Sequence, residues 1–303
     1  MGPPMLRYGE STGDRRKRSI LAPSATRDLF VYGDESHEGK QKRVFAVGGL
    51  LGSEEDWGPV EAAWIGRTGG RIFHAKDCDS DQGEYKCTDH SENKLLYRDL
   101  TLLIATSKLI GFGSALSIKD YRDAFPHDLN DHPYHVCFLD ALKYFTQVSR
   151  LSIPPGVSRF IFHRRHETEY NASEIYGYFC KLSEWKPFMG DSVSFESDAS
   201  ARVQAADLVA RESMKHLDNS LTSNRPRRQS FITLQDTRRF VFIEYRRDSF
   251  EMMKERRAEL GSAADFPDYH QWRAGLKLDD NMTARVRYLN AVDPAGRFGT
   301  RWG

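Results

Sequence analysis

Short apolar runs rich in β-branched and aromatic residues alternate along this chain with longer segments whose apolar residues recur at helical spacing. The first two runs, residues 29–32 and 44–51, are separated by a polar segment and predict a hairpin. Later strands are expected over 109–118, 158–163 and 192–195, with helices between them. Such an alternation favours an α/β fold with a mixed central sheet and helices on both faces.

Composition divides the chain into three parts. Residues 1–27 are polar and basic, and we expect a flexible arm. Residues 28–217 hold the alternating strands and helices and are expected to form the α/β domain. From residue 218 the chain becomes rich in arginine, and 218–303 is expected to be a basic, partly helical C-terminal extension.

Charge and cysteine content narrow the functional class. Lys and Arg number 44 and Asp and Glu 43, so the net charge of +1 excludes a polycation but is compatible with a basic face. The four cysteines are spread out, which excludes a disulfide scaffold and favours a reducing compartment. No apolar run approaches the roughly 20 residues of a membrane span, and an apolar signal core is missing. We expect a cytoplasmic protein without membrane contact.

The first candidate for chemistry is the acidic pair Asp34–Glu35, which follows the apolar residues of the first predicted strand. A carboxylate at the end of a buried strand is held rigidly enough to bind a divalent ion. Neighbouring strand residues point to opposite faces, so Asp34 and Glu35 share one ion only if the strand bends at Glu35. The alternative is a solvated turn.

The second candidate is the pair Gln204 and Asp207, three residues apart on a predicted helix. This spacing places both side chains on one helical face. Small and apolar residues surround them, and an acid buried there needs a compensating partner such as a metal ion. The small alanines would let the helix lie close to the strand that bears Asp34. The alternative is a Gln and an Asp that face water.

A basic segment follows the predicted domain. Residues 221–257 contain ten basic and five acidic side chains, a net charge of +5. Its candidates for contacts with a nucleic-acid backbone are Arg225, Arg227, Arg228, Arg238 and Arg239. The interleaved aromatic residues Phe240, Phe242, Tyr245 and Phe250 leave two roles open. They stack on single-stranded bases, or they pack on the core while the arginines face water.

Taken in order, these motifs resemble the family catalogued as domain of unknown function 3800. In that family an apolar strand runs into Asp-Glu-Ser, and a Gln-x-Ala-Asp-Leu helix closes the domain. This chain has Val31–Ser36 and Val203–Val209 at those places. Phe73–Asp77, which contains His74, resembles the middle element of the family, and Phe195–Ser197 resembles its short strand. The resemblance covers about residues 28 to 217.

The resemblance implies a ribonuclease-H-like fold, with which the early hairpin is compatible, and a nuclease that depends on Mg²⁺ or Mn²⁺ and cleaves DNA or RNA. Asp34 would bridge two ions and Asp207 would bind one of them, as in two-metal phosphodiester hydrolysis. Glu35 and Gln204 would complete the ligand shell, and His74 would relay protons or contact the phosphate.

Two residues depart from the family pattern. His37 stands where Gly is usual, and His163 ends a strand where we expect a third metal-binding acid. An incomplete metal site is the basis of the alternative interpretation. In that interpretation the domain is a catalytically inactive ribonuclease-H-like module that binds nucleic acid or a partner protein.

Overall fold

A computed structural model describes residues 27–38, 43–126, 132–164, 166–180, 185–222, 225–259 and 300–302. The predicted basic arm, apart from Arg27, and residues 260–299 of the predicted C-terminal extension lie outside the described residues. The described chain forms one mixed sheet with helices, so the predicted α/β class is confirmed.

Seven strands of the described chain form the sheet: β1 (Arg27–His37), β2 (Val44–Gly52), β3 (Ile110–Ser117), β4 (Gly156–His163), β5 (Ser194–Glu196), β6 (Phe240–Tyr245) and β7 (Thr300–Trp302). Across the sheet their order is β5-β4-β1-β2-β3-β6-β7. The pairs β1–β2, β2–β3 and β6–β7 are antiparallel, whereas β1–β4, β4–β5 and β3–β6 are parallel. The carboxyl ends of β1, β4 and β5 therefore meet at one edge of the sheet.

The described helices are α1 (Glu54–Thr68), α2 (Ala75–Asp79), α3 (His90–Thr106), α4 (Ile118–Ala124), α5 (His132–Leu151), α6 (His166–Cys180), α7 (Ala201–Thr222), α8 (Gln229–Gln235) and α9 (Arg247–Glu259). Ser53 caps α1, because its hydroxyl accepts the Asp56 N–H while the Asp56 carboxylate accepts the Ser53 N–H. None of the helices that the structure describes is long and apolar enough to cross a membrane.

Strand alternation assigns the helices to two layers. Val31 and Phe160 face a core cluster that includes residues of α4, α5, α6 and α9. Tyr32 and Ile161, one residue further along the same strands, face a second cluster that includes residues of α1, α2, α3, α7 and α8. Because successive strand residues point to opposite faces, β1 contributes to both cores. The expected helices on both faces of the sheet are thus found.

The segment predicted as a C-terminal extension needs correction over residues 225–259. Helix α7 continues to Thr222, past the expected boundary at residue 217, and β6 pairs in parallel with β3. These residues therefore complete the same sheet and its cores. The aromatic residues for which two roles were open are all buried: Phe240, Phe242, Tyr245 and Phe250. Packing on the core is confirmed for them, and base stacking is wrong.

Candidate functional site

A cleft of about 290 Å³ opens at the edge of the sheet where β1 ends, and acidic side chains from three elements border it. Its lining residues are Asp34, Glu35, Ser36 and His37 of β1, His74, Lys76 and Asp77 at the start of α2, and Asp207 of α7. Asp34, Glu35, His74 and Asp207 were predicted site residues. Segments far apart in sequence are brought together here by the sheet order and the return of α7.

Asp34 is a buried strand residue, only 4% exposed. It pairs with Gly48 of β2, and β4 pairs with β1 only as far as Gly33. The Asp34 Oδ1 atom accepts the N–H of Glu35 at 2.7 Å and lies 3.3 Å from His163 Nδ1. The sequence interpretation that the strand ends at the acidic pair is wrong, because β1 continues to His37.

The same continuity separates Asp34 from Glu35. Both residues remain paired with β2, to Gly48 and Val47 respectively, so the strand does not bend between them. Alternation directs the two side chains to opposite faces of the sheet. The expectation that they share one ion required a bend at Glu35 and is therefore not supported, although Glu35 borders the cleft.

Two glycines let α7 lie almost on the backbone of the sheet. A Cβ atom on Gly48 would overlap the backbone of Ala210, and one on Gly113 would overlap the hydroxyl of Ser213. Gly48 pairs with Asp34 on one side and with Gly113 on the other, so both glycines extend the line of Asp34 across the sheet. Asp207 lies one turn before Ala210, and this close approach brings it to the cleft.

Asp207 also caps the start of α2 with a hydrogen bond. Its Oδ2 atom accepts the N–H of Ala75 at 2.8 Å. His74, directly before this contact, has its Nε2 atom 3.5 Å from Asp198 Oδ2, on the loop that precedes α7. These contacts from one helix and its entry loop orient the segment that presents His74, Lys76 and Asp77 to the cleft.

Gln204 is not among the residues that line the cleft. It is buried, its Oε1 atom accepts the Trp64 indole N–H at 2.9 Å, and its Nε2 group donates to the Asp198 carbonyl at 2.7 Å. The predicted role of Gln204 as a ligand is therefore corrected. Through these hydrogen bonds its amide links α1 and the loop at Asp198 to α7. Of Gln204 and Asp207, only Asp207 borders the cleft.

The far end of α2 is fixed by a partly buried ionic network, in which Arg211 and Glu212 are buried and Asp79 and Arg228 are half-buried. Arg228 donates two hydrogen bonds to Asp79, at 2.8 and 3.1 Å, and its Nε also donates to Glu212, while Arg211 donates to Asp79 at 2.9 Å. Burial raises the pKa of Asp79, but the hydrogen bond and charge of Arg228 and the charge of Arg211 outweigh it and lower that pKa below its usual value. Tyr97 completes the network by donating to Glu212 at 2.6 Å.

Two of the five arginines predicted to contact nucleic acid are engaged inside the protein. Arg228 belongs to the network around Asp79, and Arg239 donates to the carbonyl of Ala105. Their assignment as backbone contacts is corrected for this reason. Arg225, Arg227 and Arg238 are exposed. The sequence did not distinguish these two groups because the partners of Arg228 and Arg239 are distant along the chain.

Sequence reasoning missed Lys76 and Asp77 as site residues. Both lie in the segment Phe73–Asp77, in which the resemblance implies a role for His74 alone. Their signal is their position two and three residues after His74, because a helix that starts at Ala75 keeps its first turn beside the residue that precedes it.

The donor set of the cleft fits a hard divalent cation. Asp34 and Asp207 offer carboxylate oxygens, the ligands that Mg²⁺ and Mn²⁺ prefer. Among the described residues, no group of three or more His, Cys, Asp or Glu side chains is arranged to hold a metal ion. One or two carboxylates suffice for Mg²⁺ when water and substrate phosphate complete the shell. The two carboxylates of the cleft could therefore hold such an ion only together with ligands from outside the chain.

Comparison of the chain with protein-family models, curated proteins and solved structures finds no match. The resemblance to the family named above thus rests on its motifs alone. What the cleft does chemically follows from the residues that border it. Carboxylates, one lysine and two histidines are present, which are side chains with the chemistry to hold a cation, to bind an anion and to transfer a proton.

Proposed function

We propose that the protein is a divalent-metal-dependent nuclease with a ribonuclease-H-like fold. The observation that carries the proposal is that Asp34 of β1 and Asp207 of α7 border the same cleft. Their motifs are the two that predicted metal binding independently, from a strand and from a distant helix. Two carboxylates that converge from separate elements are what a hydrated Mg²⁺ or Mn²⁺ ion needs.

The strand order supports the fold part of the proposal. The unit β5-β4-β1-β2-β3 consists of an antiparallel meander and two further strands that continue from β1 in parallel. This is the arrangement expected of a ribonuclease-H-like sheet. Asp34 then lies on its central strand, where a ribonuclease-H-like nuclease requires its first carboxylate.

In this proposal each of four cleft residues has its own role in phosphodiester hydrolysis. Asp34 and Asp207 hold the ion, and Lys76 attracts the phosphate of the substrate. When bound, Mg²⁺ or Mn²⁺ activates water and neutralises charge on the phosphate. His74 moves a proton at the cleft, with its ring oriented by the Asp198 carboxylate 3.5 Å from Nε2.

A second candidate function is the catalytically inactive module that binds nucleic acid or a partner protein. The observation in its favour is His163, which ends β4 beside Asp34 where a third acid is expected. The two candidates differ in one respect that is simple to measure. A nuclease cleaves its nucleic acid in Mn²⁺, whereas the module binds it and leaves it intact.

The test of the nuclease is cleavage of single- and double-stranded DNA and RNA by purified protein in Mn²⁺. Asp34→Asn and Asp207→Asn should each reduce the cleavage rate by at least about 100-fold, because both remove an ion ligand. Asp123→Asn is the matched control, since Asp123 is an exposed acid of α4 that pairs with Lys119. It should cleave at the wild-type rate.

Ion binding is tested separately through stability. Mn²⁺ should raise the melting temperature of the wild type by at least about 2 °C, because the ion binds the folded cleft and not the unfolded chain. The double variant Asp34→Asn with Asp207→Asn should lose this response, and Asp123→Asn should keep it. A double variant with the full response would place the ion elsewhere and contradict the proposal.

Nucleic-acid binding is tested on the exposed arginines. The double variant Arg225→Glu with Arg227→Glu should bind more weakly, and its salt slope should fall by about 0.9 for each phosphate that the variant no longer neutralises. Binding with a steep salt slope but no cleavage by the wild type would favour the inactive module. Neither binding nor cleavage would contradict the nuclease and the nucleic-acid-binding form of the module, and would leave only the form that binds a partner protein.

A further inference from the structure

A second concave site lies on the α7 side of the sheet, between α3 and α8. This groove has a volume of about 390 Å³, within the range of small-molecule sites. One wall is a continuous face of α3, formed by Lys94, Tyr97, Arg98, Thr101 and Leu102. The opposite wall is α8, and the end of α2 with Arg228 forms the remaining side.

The α3 wall is chemically graded. Lys94, Arg98 and Leu102 are exposed and follow one another at intervals of one helical turn, while Tyr97 and Thr101 are buried behind them. Along this row Lys94 and Arg98 precede Leu102, with Lys94 about 12 Å and Arg98 about 6 Å from the leucine along the helix axis. The α8 wall adds Ser230 and Thr233, which offer both hydroxyl and apolar surface. A ligand with one charged end and one apolar end matches this order.

The charge of the groove is positive. Asp79 is the acidic side chain among its lining residues, and it is engaged by Arg211 and Arg228 within the partly buried network. Lys94 and Arg98 are further lining cations, although Arg98 also lies 3.2 Å from the Asp99 carboxylate. An anionic group at this end gains favourable interactions, whereas a cationic group meets like charges.

We propose that this groove binds a small organic anion whose apolar body is the size of one or two aromatic rings. The anionic group lies at Lys94 and Arg98, and the apolar body lies along Tyr97 toward Leu102. The groove adjoins the same short helix that reaches the acidic cleft, because Cys78 and Asp79 end α2 while Asp77 borders the cleft. The proposal does not rest on the nuclease function.

The probe for the test is 8-anilinonaphthalene-1-sulfonate, a fluorescent anion with an aromatic body. Its uncharged counterpart is N-phenyl-1-naphthylamine, which lacks the sulfonate. Wild type should bind one sulfonate probe per chain. Lys94→Glu with Arg98→Glu should weaken that binding by about tenfold, since two favourable surface charges become repulsive. Binding of the uncharged counterpart should change little.

Two further variants make the result specific to the groove. Thr233→Trp places a large side chain between α3 and α8 and should remove the binding of both probes. Lys119→Glu with Arg122→Glu reverses two charges on α4, on the opposite face of the sheet, and should bind both as the wild type does. Circular dichroism and melting temperature confirm that each variant is folded. Failure of wild type to bind the sulfonate probe, or equal binding by the folded groove variants, overturns the proposal.

Discussion

Gly48 of β2 lies directly against the backbone of Ala210 in α7, with no room between them for a Cβ atom. Gly48 also pairs with Asp34, and Ala210 follows Asp207 by one helical turn. The contact between these two small residues therefore sets how closely the two acids approach. A change at Gly48 is expected to affect stability and the cleft together.

We predict that Gly48→Ala lowers the free energy of unfolding by about 1–3 kcal/mol, the usual range for an overpacked core. It should also raise the Mn²⁺ concentration needed for the thermal shift, because α7 must move away from Asp34. Urea denaturation and an Mn²⁺ titration measure the two effects.

Gly58→Ala is the control, since Gly58 is exposed within α1 and has nothing near its missing Cβ atom. That change should stabilise the protein by about 0.5–1 kcal/mol. A Gly48→Ala variant as stable as the wild type would show that α7 is not held this close.

Gln204 is predicted to act through structure rather than through a bound ion. Gln204→Met removes the acceptor of the buried Trp64 indole N–H and should lower the free energy of unfolding by about 1–3 kcal/mol. The Mn²⁺ response should persist, in contrast to that of Asp207→Asn. Adding Trp64→Phe removes the orphaned donor, so the double variant should lose less stability than the sum of the two single variants. A Gln204→Met protein that is stable but lacks the Mn²⁺ response would show instead that Gln204 is a ligand of the ion.

Asp79→Asn is expected to destabilise the protein in a manner that depends on pH. The folded pKa of Asp79 lies below the ordinary value of 3.8, so its ion pairs stabilise the fold above that pH. The stabilisation is lost as the pH falls through the folded pKa. At pH 7 the variant should lose about 3 kcal/mol, because Arg211 loses the carboxylate of Asp79 and Arg228 keeps only that of Glu212. Denaturation from pH 7 to pH 3 should show this difference shrinking below about pH 4. A difference that stays constant across this range would mean that the charge of Asp79 is not what stabilises the network.

The histidine at the end of β4 permits a test of the third ligand, on the premise that the proposed ion site exists. His163→Asp places a carboxylate beside Asp34, where Nδ1 of His163 now lies 3.3 Å from Oδ1. The Mn²⁺ concentration at the midpoint of the thermal shift should fall by about tenfold, because affinity rises with the number of carboxylate ligands. His163→Asn removes the imidazole without adding charge and should not tighten binding. Equal tightening by both variants would assign the effect to the loss of the imidazole instead.

The class of fold was predictable from the chain because its signals are local. Apolar runs with β-rich composition, helical periodicity and the cap at Ser53 each depend on residues within a few positions of one another. The same locality explains the errors. The acidic pair looked like a turn after a strand, but pairing with β2 carries β1 through Asp34 to His37. Register with a neighbouring strand is a long-range property, and it overrode the local turn preference.

Candidate residues were predictable by type, but their roles were not. Spacing alone makes Gln204 and Asp207 equivalent members of one helical face. Packing separates them, since Trp64 and the Asp198 carbonyl take the amide while Asp207 reaches Ala75 and the cleft. The arginines likewise look alike in sequence, yet Arg228 is held by Asp79 and Arg225 is exposed.

The sequence by itself therefore determined the α/β class, the positions of β1 to β5 and which side chains have the chemistry to bind an ion. Only the tertiary structure decided which of them meet. Gly48 and Gly113 let α7 pack directly on the sheet, because they have no Cβ atoms. The strand order places the end of β1 beside α7. Both depend on contacts between residues distant in the chain, because close packing and strand register are properties of pairs of elements and not of any one segment.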